Sequence, residues 1–238
     1  MKKIIGLLVS FSLVLCPMVA FAQDTSAEDN CLSLLEERNE ALVDYLRVAD
    51  MEQEGVVDYA HFFEMHPEYE QAVRNDVHMD KTILRTEQIS TKNYTNEQGE
   101  SINEEKDIVF YKDGSFRIDT FTISRDGVQM RDAWSSVCGQ NQHEGYNRFG
   151  AFMWRTYMKS CFRYNGSKVI NTSSKTNVRT NDILYAEKIG PTSSYPYGKQ
   201  NLCRTLVIHH MLQRSNSLLY DMDDLRVSCN MQGEIFKN

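Results

Sequence analysis

The chain has 238 residues, with 26 Lys and Arg against 33 Asp and Glu, and a formal charge of −7. It is 41% hydrophobic and 25% charged, which supplies enough apolar material for a core and excludes an intrinsically disordered chain. An acidic balance repels phosphate backbones and anionic lipid heads, which argues against nucleic acid as a partner.

The chain opens as a secretory leader does. Lys2 and Lys3 give a positive start, Ile4 to Ala20 is an apolar run, and Ala20-Phe21-Ala22 is the small-x-small pattern of a cleavage site. The run holds Pro17 and is shorter than the roughly 20 apolar residues of a spanning helix, so it reads as a signal peptide over 1–22. Leu15 before Cys16 argues against lipidation there. The body, 23–238, is then a single exported domain, periplasmic if the source is bacterial and otherwise secreted, with no transmembrane segment. No linker rich in Pro, Gly or Ser divides it.

Residues 26–75 read as helical. Ser26 with Asp29 three residues on is a capping arrangement. Cys31, Leu34, Leu35, Leu42, Tyr45, Leu46 and Ala49 then form one apolar stripe, with Glu36, Glu37, Arg38 and Glu40 on the other side. Gly55 interrupts the run. A second helix is predicted over 56–65, and Pro67 suits the first turn of a third reaching about Val73.

From residue 80 to 236 the period changes to two. Strands are predicted at 82–91, 108–112, 115–124 and 128–137, with a polar turn at 96–99 and Asp-Gly hairpin turns at 113–114 and 126–127. On the central strand Phe116, Ile118, Thr120 and Thr122 face one way, and Arg117, Asp119, Phe121 and Ile123 the other. Both faces carry apolar bulk, so the sheet is expected to be covered on both sides for part of its width. Residues 139–150 read as a loop rich in Gly, Asn and Gln. Asn165-Gly166 tips 151–164 towards strand, and further strands follow at 183–189, 202–211 and 224–229. The fold class is α+β: N-terminal helices packed on a mostly antiparallel meander.

In an oxidising compartment the body's cysteines, Cys31, Cys138, Cys161, Cys203 and Cys229, should pair. Two bridges among five residues allow about fifteen arrangements. Cys138–Cys161 and Cys203–Cys229 are favoured because each closes a short loop between neighbouring strands. Cys31 is then unpaired, either buried on its helix stripe or joined to another chain.

The chemistry-bearing residues carry weak signals. His61 and His66 lie five apart and diverge on a helix; His209 and His210 are neighbours on a strand and point to opposite faces. Asp221, Asp223 and Asp224 lack the glycine and distal glutamate of an EF-hand and read as a solvated turn. Cys138 with His143 and Glu144 could make a Cys–His hydrolase, but no protease signature surrounds them. Phosphate-loop, dinucleotide and serine-nucleophile fingerprints are absent. No metal, cofactor or catalytic residue is predicted. Phe149, Phe152, Trp154 and Tyr157 crowd one segment; they are core, or they line an apolar cleft for a greasy ligand.

The segment Asp107-Ile108-Val109-Phe110-Tyr111-Lys112-Asp113-Gly114-Ser115-Phe116-Arg117-Ile118-Asp119, after a leader and early helices, resembles the LolA, RseB and LppX group of periplasmic proteins. The resemblance implies a curved half-barrel sheet with helices at its open side, binding lipid or lipidated chains. It covers about a tenth of the body and transfers no site residue. The family's tryptophan-bearing strand is not matched, and the cysteines lie outside its pattern. The reading is therefore an exported, non-enzymatic binding or interaction protein, its partner an apolar ligand or an envelope protein. The alternatives are an envelope or secretion-apparatus subunit using Cys31, and the hydrolase built on Cys138 and His143.

Overall fold

A computed structural model describes residues 25–51, 59–69, 81–125, 134–195 and 201–237. The leader reading, the second Asp-Gly turn, most of the third helix and the side chains of Ser26, Asp29 and Cys31 lie outside the described residues. Helix α1 (Thr25–Met51) and helix α2 (Tyr59–Met65) precede ten strands. These are β1 (Ile83–Thr95), β2 (Ser101–Tyr111), β3 (Phe116–Arg125), β4 (Ser135–Tyr146), β5 (Phe152–Tyr164), β6 (Val169–Thr180), β7 (Leu184–Ser194), β8 (Leu202–Gln213), β9 (Leu219–Asn230) and β10 (Ile235–Phe236). The α+β class is as the sequence predicts, and the sheet is not a closed barrel. Two sheets form where one was expected: a six-stranded meander β1-β2-β3-β4-β5-β6 and a smaller sheet β10-β9-β8-β7.

Strand β3 explains the layering. Its even residues Phe116 and Ile118 join Leu42, Val43, Leu46, Tyr59 and Phe62 of the two helices in one apolar cluster. Its odd residue Phe121 belongs to a second cluster with Met158, Phe162, Val207, Leu225 and Val227, between the two sheets. The meander is thus covered by helices on one face and by the small sheet on the other, as alternation along β3 requires. Burial of these side chains removes apolar surface from water, about 1.5–3 kcal/mol for each fully buried one.

The turns share one chemistry. Gly99, Gly114, Gly150 and Gly233 all have φ between 75° and 81°, and each closes a hairpin in which the residue three before it pairs with the residue one after it. In three of them, Asn96-Glu97-Gln98-Gly99, Asn147-Arg148-Phe149-Gly150 and Asn230-Met231-Gln232-Gly233, the leading Asn accepts two backbone N–H groups. This is a type I turn with a glycine bulge. Asp113 lacks positive φ, so the expected two-residue turn at 113–114 is replaced by the same bulged form.

Two stretches depart from expectation. Residues 139–146 are strand, not loop. Gly139 and Gly145 are placed where neighbours come close: a methyl on Gly139 would stand 2.5 Å from Val227 Cγ1, and one on Gly145 2.4 Å from the Trp154 ring. Close packing there overrides weak strand propensity. Strand β6, Val-Ile-Asn-Thr-Ser-Ser-Lys-Thr-Asn-Val-Arg-Thr, was not predicted because its exposed edge position leaves it without an apolar alternation.

At the end of α1, Asp50 is buried and receives Lys92 at 2.6 Å and Lys106 at 2.5 Å. Burial alone would push its carboxyl up; Lys106, Lys92 and Ser90 outweigh that and hold it down to about 2. A carboxyl with a depressed folded pKa stabilises above the unfolded value and loses that contribution as pH falls through the folded one. Asp50→Asn is therefore expected to flatten the loss of stability between about pH 4 and 2, read by urea denaturation across that window.

The polar cleft between the sheets

Odd residues of β4 point at the small sheet, and two of them, Asn141 and His143, are polar where a core would be apolar. Asn141 donates to the Arg226 carbonyl at 3.3 Å. His143, its side chain 10% exposed, places Nδ1 2.7 Å from Asp223 Oδ1 and Nε2 3.8 Å from Asp119 Oδ1. Asp223 is an ionised acceptor, so Nδ1 carries the hydrogen and Nε2 is left facing Asp119. Thr156 donates to the other Asp223 oxygen, and Arg117 Nη1 stands 3.5 Å away. Arg117 in turn grips Asp119 with two bonds of 2.6 and 2.8 Å.

The register shows why these groups meet. Asp107, Asp119, His143 and Thr156 are successive partners across β2, β3, β4 and β5, forming one row on the inner face. Asp223 comes down on that row from β9. Burial alone would push the Asp223 carboxyl up; His143, Arg117 and Thr156 outweigh it and hold it below the usual carboxylate range. Asp221, two residues earlier, shifts the other way: burial raises it, with Lys81 pulling against. On β8, His209 is fully buried opposite Asp223, and neither ring nitrogen has a hydrogen-bond partner among the described residues. Burial lowers its pKa, so it stays neutral.

Beside this row, where the small sheet stops short of β2 and β3, lies an open cleft of about 440 Å³. Asp107, Asp119, Phe121, Asn141, His143 and Lys237 are among its walls, with Asp224 and Arg226 on the β9 side. Lys237 Nζ reaches Asp107 at 2.7 Å and Glu105 at 3.2 Å, over the Phe121 ring. The cleft therefore already holds an ammonium in an acidic corner. Cys138 is bridged to Cys161, as the sequence predicts, and odd–even alternation puts it on the opposite face of β4 from His143. The structure thus keeps Cys138 and His143 apart.

The remaining sequence candidates fall elsewhere. Cys203 and Cys229 are directly opposed on β8 and β9, but both are buried free thiols and not the expected bridge. Burial raises both, Cys229 to about 12 with Cys203 adding to the rise. The aromatic quartet does not line one cleft. Phe149 is 43% exposed in a turn, Phe152 packs at the rim of the helix-side cluster, and Trp154 is buried between the sheets with Nε1 3.3 Å from Asp221. Tyr157 faces outward and bonds Gln140. The odd spacing between 154 and 157 on a strand enforces that split. Asp221, Asp223 and Asp224 are strand residues of β9, not a solvated turn.

His61 and His66 make separate contacts, with Glu64 and Glu68. Among the described residues no three His, Cys, Asp or Glu side chains are grouped to hold a metal ion. Nor is any described helix long and apolar enough to cross a membrane. No family model, curated protein or solved structure matches the chain.

Proposed function

We propose that the chain is an exported, non-enzymatic binding protein whose site is the polar cleft bounded by β2, β3, β4 and β9. The leader-like residues 1–22 support export. One observation carries the choice of site. Met158, Phe162, Val207, Leu225 and Val227 are fully buried and fill the space between the sheets, whereas the 440 Å³ cleft beside them is open and ringed by charge. Acyl chains need an apolar cavity, and cavities of roughly 300–1,000 Å³ with a few convergent polar groups are the usual ligand sites. The cleft has that size with the polarity inverted, so its ligand is charged.

The sign is that of a cation. Asp107 and Asp119 are direct cross-strand partners, a like-charge pair that is unfavourable unless a positive group lies over it. Arg117 and Lys237 answer that need in the structure.

The test is an NMR titration of the purified protein with lysine amide and, separately, with glutamate. Lysine amide is expected to move the His143 imidazole signals saturably, with glutamate having a smaller effect, and Asp119→Asn should weaken the response about tenfold. No response to either probe, together with co-purifying acyl chains in native mass spectrometry, would return the protein to the lipid-carrier reading.

A further inference from the structure

Strand β10 pairs with β9 only at Cys229 and Ser228, through Ile235 and Phe236. Among the described residues no strand pairs with the same edge of β9 from Leu219 to Val227. That edge borders the cleft, whose β9 wall is Asp224 and Arg226. At its upper end Lys81 stands over the rings of Tyr111 and Tyr220, so the open stretch is the part beside the cleft.

The chain's own tail shows what the edge accepts. An extended segment adds to β9 in antiparallel register, and its next inward side chain, Lys237, drops into the acidic corner of Asp107 and Glu105. Inward positions recur every second residue, roughly 6.8 Å apart. The following inward position on a strand in line with β10 is opposite Leu225, on the β9 stretch that borders the cleft with Asp119 in its wall.

We infer that β9 is a docking edge: an extended peptide adds to it as a further strand and sets a lysine or arginine side chain over the Asp107–Asp119 pair. Strand addition supplies main-chain hydrogen bonds and the cleft supplies the choice of side chain, the division of labour usual for peptide binding at a sheet edge. The competing view is that Asp224 and Arg226 merely blunt the edge against aggregation. Both side chains are exposed and alternate with buried Asp223, Leu225 and Val227, so neither covers the inner side of the edge. One backbone group there, the Arg226 carbonyl, accepts from Asn141 Nδ2 at 3.3 Å, a bond that an incoming strand would replace. The inference rests on the cleft being a binding site.

The experiment uses the purified protein and a labelled, end-capped heptapeptide, Thr-Val-Thr-Lys-Thr-Val-Thr, read by fluorescence anisotropy. Three comparisons isolate the mode: glutamate in place of the lysine, N-methylation of alternate backbone amides, and the protein variant Asp119→Asn. Each is expected to weaken binding at least tenfold, and Lys237→Ala to tighten it by removing a competing ammonium.

Equal binding of the N-methylated and parent peptides would overturn strand addition without any change to the protein. So would the absence of saturable binding below about 1 mM. If lysine amide still moves the His143 signals while no peptide binds, this inference fails and the cleft reading stands. If neither binds, both fail.

Discussion

Replacing Asp223 with alanine is expected to destabilise the protein by about 3–5 kcal/mol, the cost of breaking a buried ion pair from one side. The carboxylate is 1% exposed and answers His143, Thr156 and Arg117 at once. Without it, an imidazole N–H and a hydroxyl face an interior with no acceptor, and the Arg117 guanidinium keeps only its two bonds to Asp119. Asp223→Asn keeps the shape but turns an NH₂ towards donors, so it should recover little.

The pH dependence follows from the depressed carboxyl. Its stabilisation is complete above the unfolded value, about 4, and is lost as pH falls through the lower folded one. Asp221, with its carboxyl raised by burial, works in the opposite sense and in the adjoining range, costing stability as pH rises from the unfolded value through its higher folded one. Urea denaturation at neutral and acid pH should therefore show a large deficit for Asp223→Ala at pH 7 that narrows towards acid. A deficit under about 1 kcal/mol at pH 7 would mean that the pair contributes little net stability, the outcome known for exposed pairs.

How legible this site was in the sequence depends on which physical signal each part carries. Alternation identified β3 and assigned its two faces correctly, because apolar residues on both sides of a strand leave a period-two record. The cysteine spacing identified Cys138–Cys161 for a similar reason: the bridge joins two neighbouring strands directly opposite each other. The same rule also selected Cys203–Cys229, and there opposition on adjacent strands is met without a bond.

The cleft itself was not legible. Its floor is a row running across four strands, so Asp107, Asp119 and His143 are far apart in sequence and adjacent only through register. The Asp221–Asp224 run looked solvated because acidic residues rarely sit in strands, and it is His143, Arg117 and Thr156 on the other sheet that make the burial of Asp223 tolerable. One signal did stand in the sequence: Asn-x-x-Gly recurs at 96, 147 and 230, and its turn chemistry marks three hairpins. At 147 it would have extended the preceding strand through the segment read as a loop.

Arg38 is the second residue whose replacement should matter most, and the helical wheel places it wrongly among the solvated side chains. It is fully buried. Nη1 donates to the Gly114 carbonyl at 2.8 Å and stands 3.4 Å from that of Arg148, while Asn39 accepts from Nε and Nη2. One guanidinium thereby ties α1 to the β2–β3 and β4–β5 turns. Burial pushes its pKa down to about 10, with Asp113 pulling it up, so it remains charged at neutral pH.

Two effects separate in the variants. Arg38→Ala leaves both a cavity and unanswered turn carbonyls, and about 3–5 kcal/mol of stability should be lost. Arg38→Met fills the space and removes the desolvated charge, so it should lose roughly half as much, chiefly from the Gly114 carbonyl. Arg38→Lys keeps the charge but cannot span two turns with a single ammonium, and it should fall no better than Arg38→Met. Thermal and urea denaturation rank the three. If lysine restores full stability, charge alone holds the helix; if it does not, the planar fork of the guanidinium is what fastens α1 to the sheet.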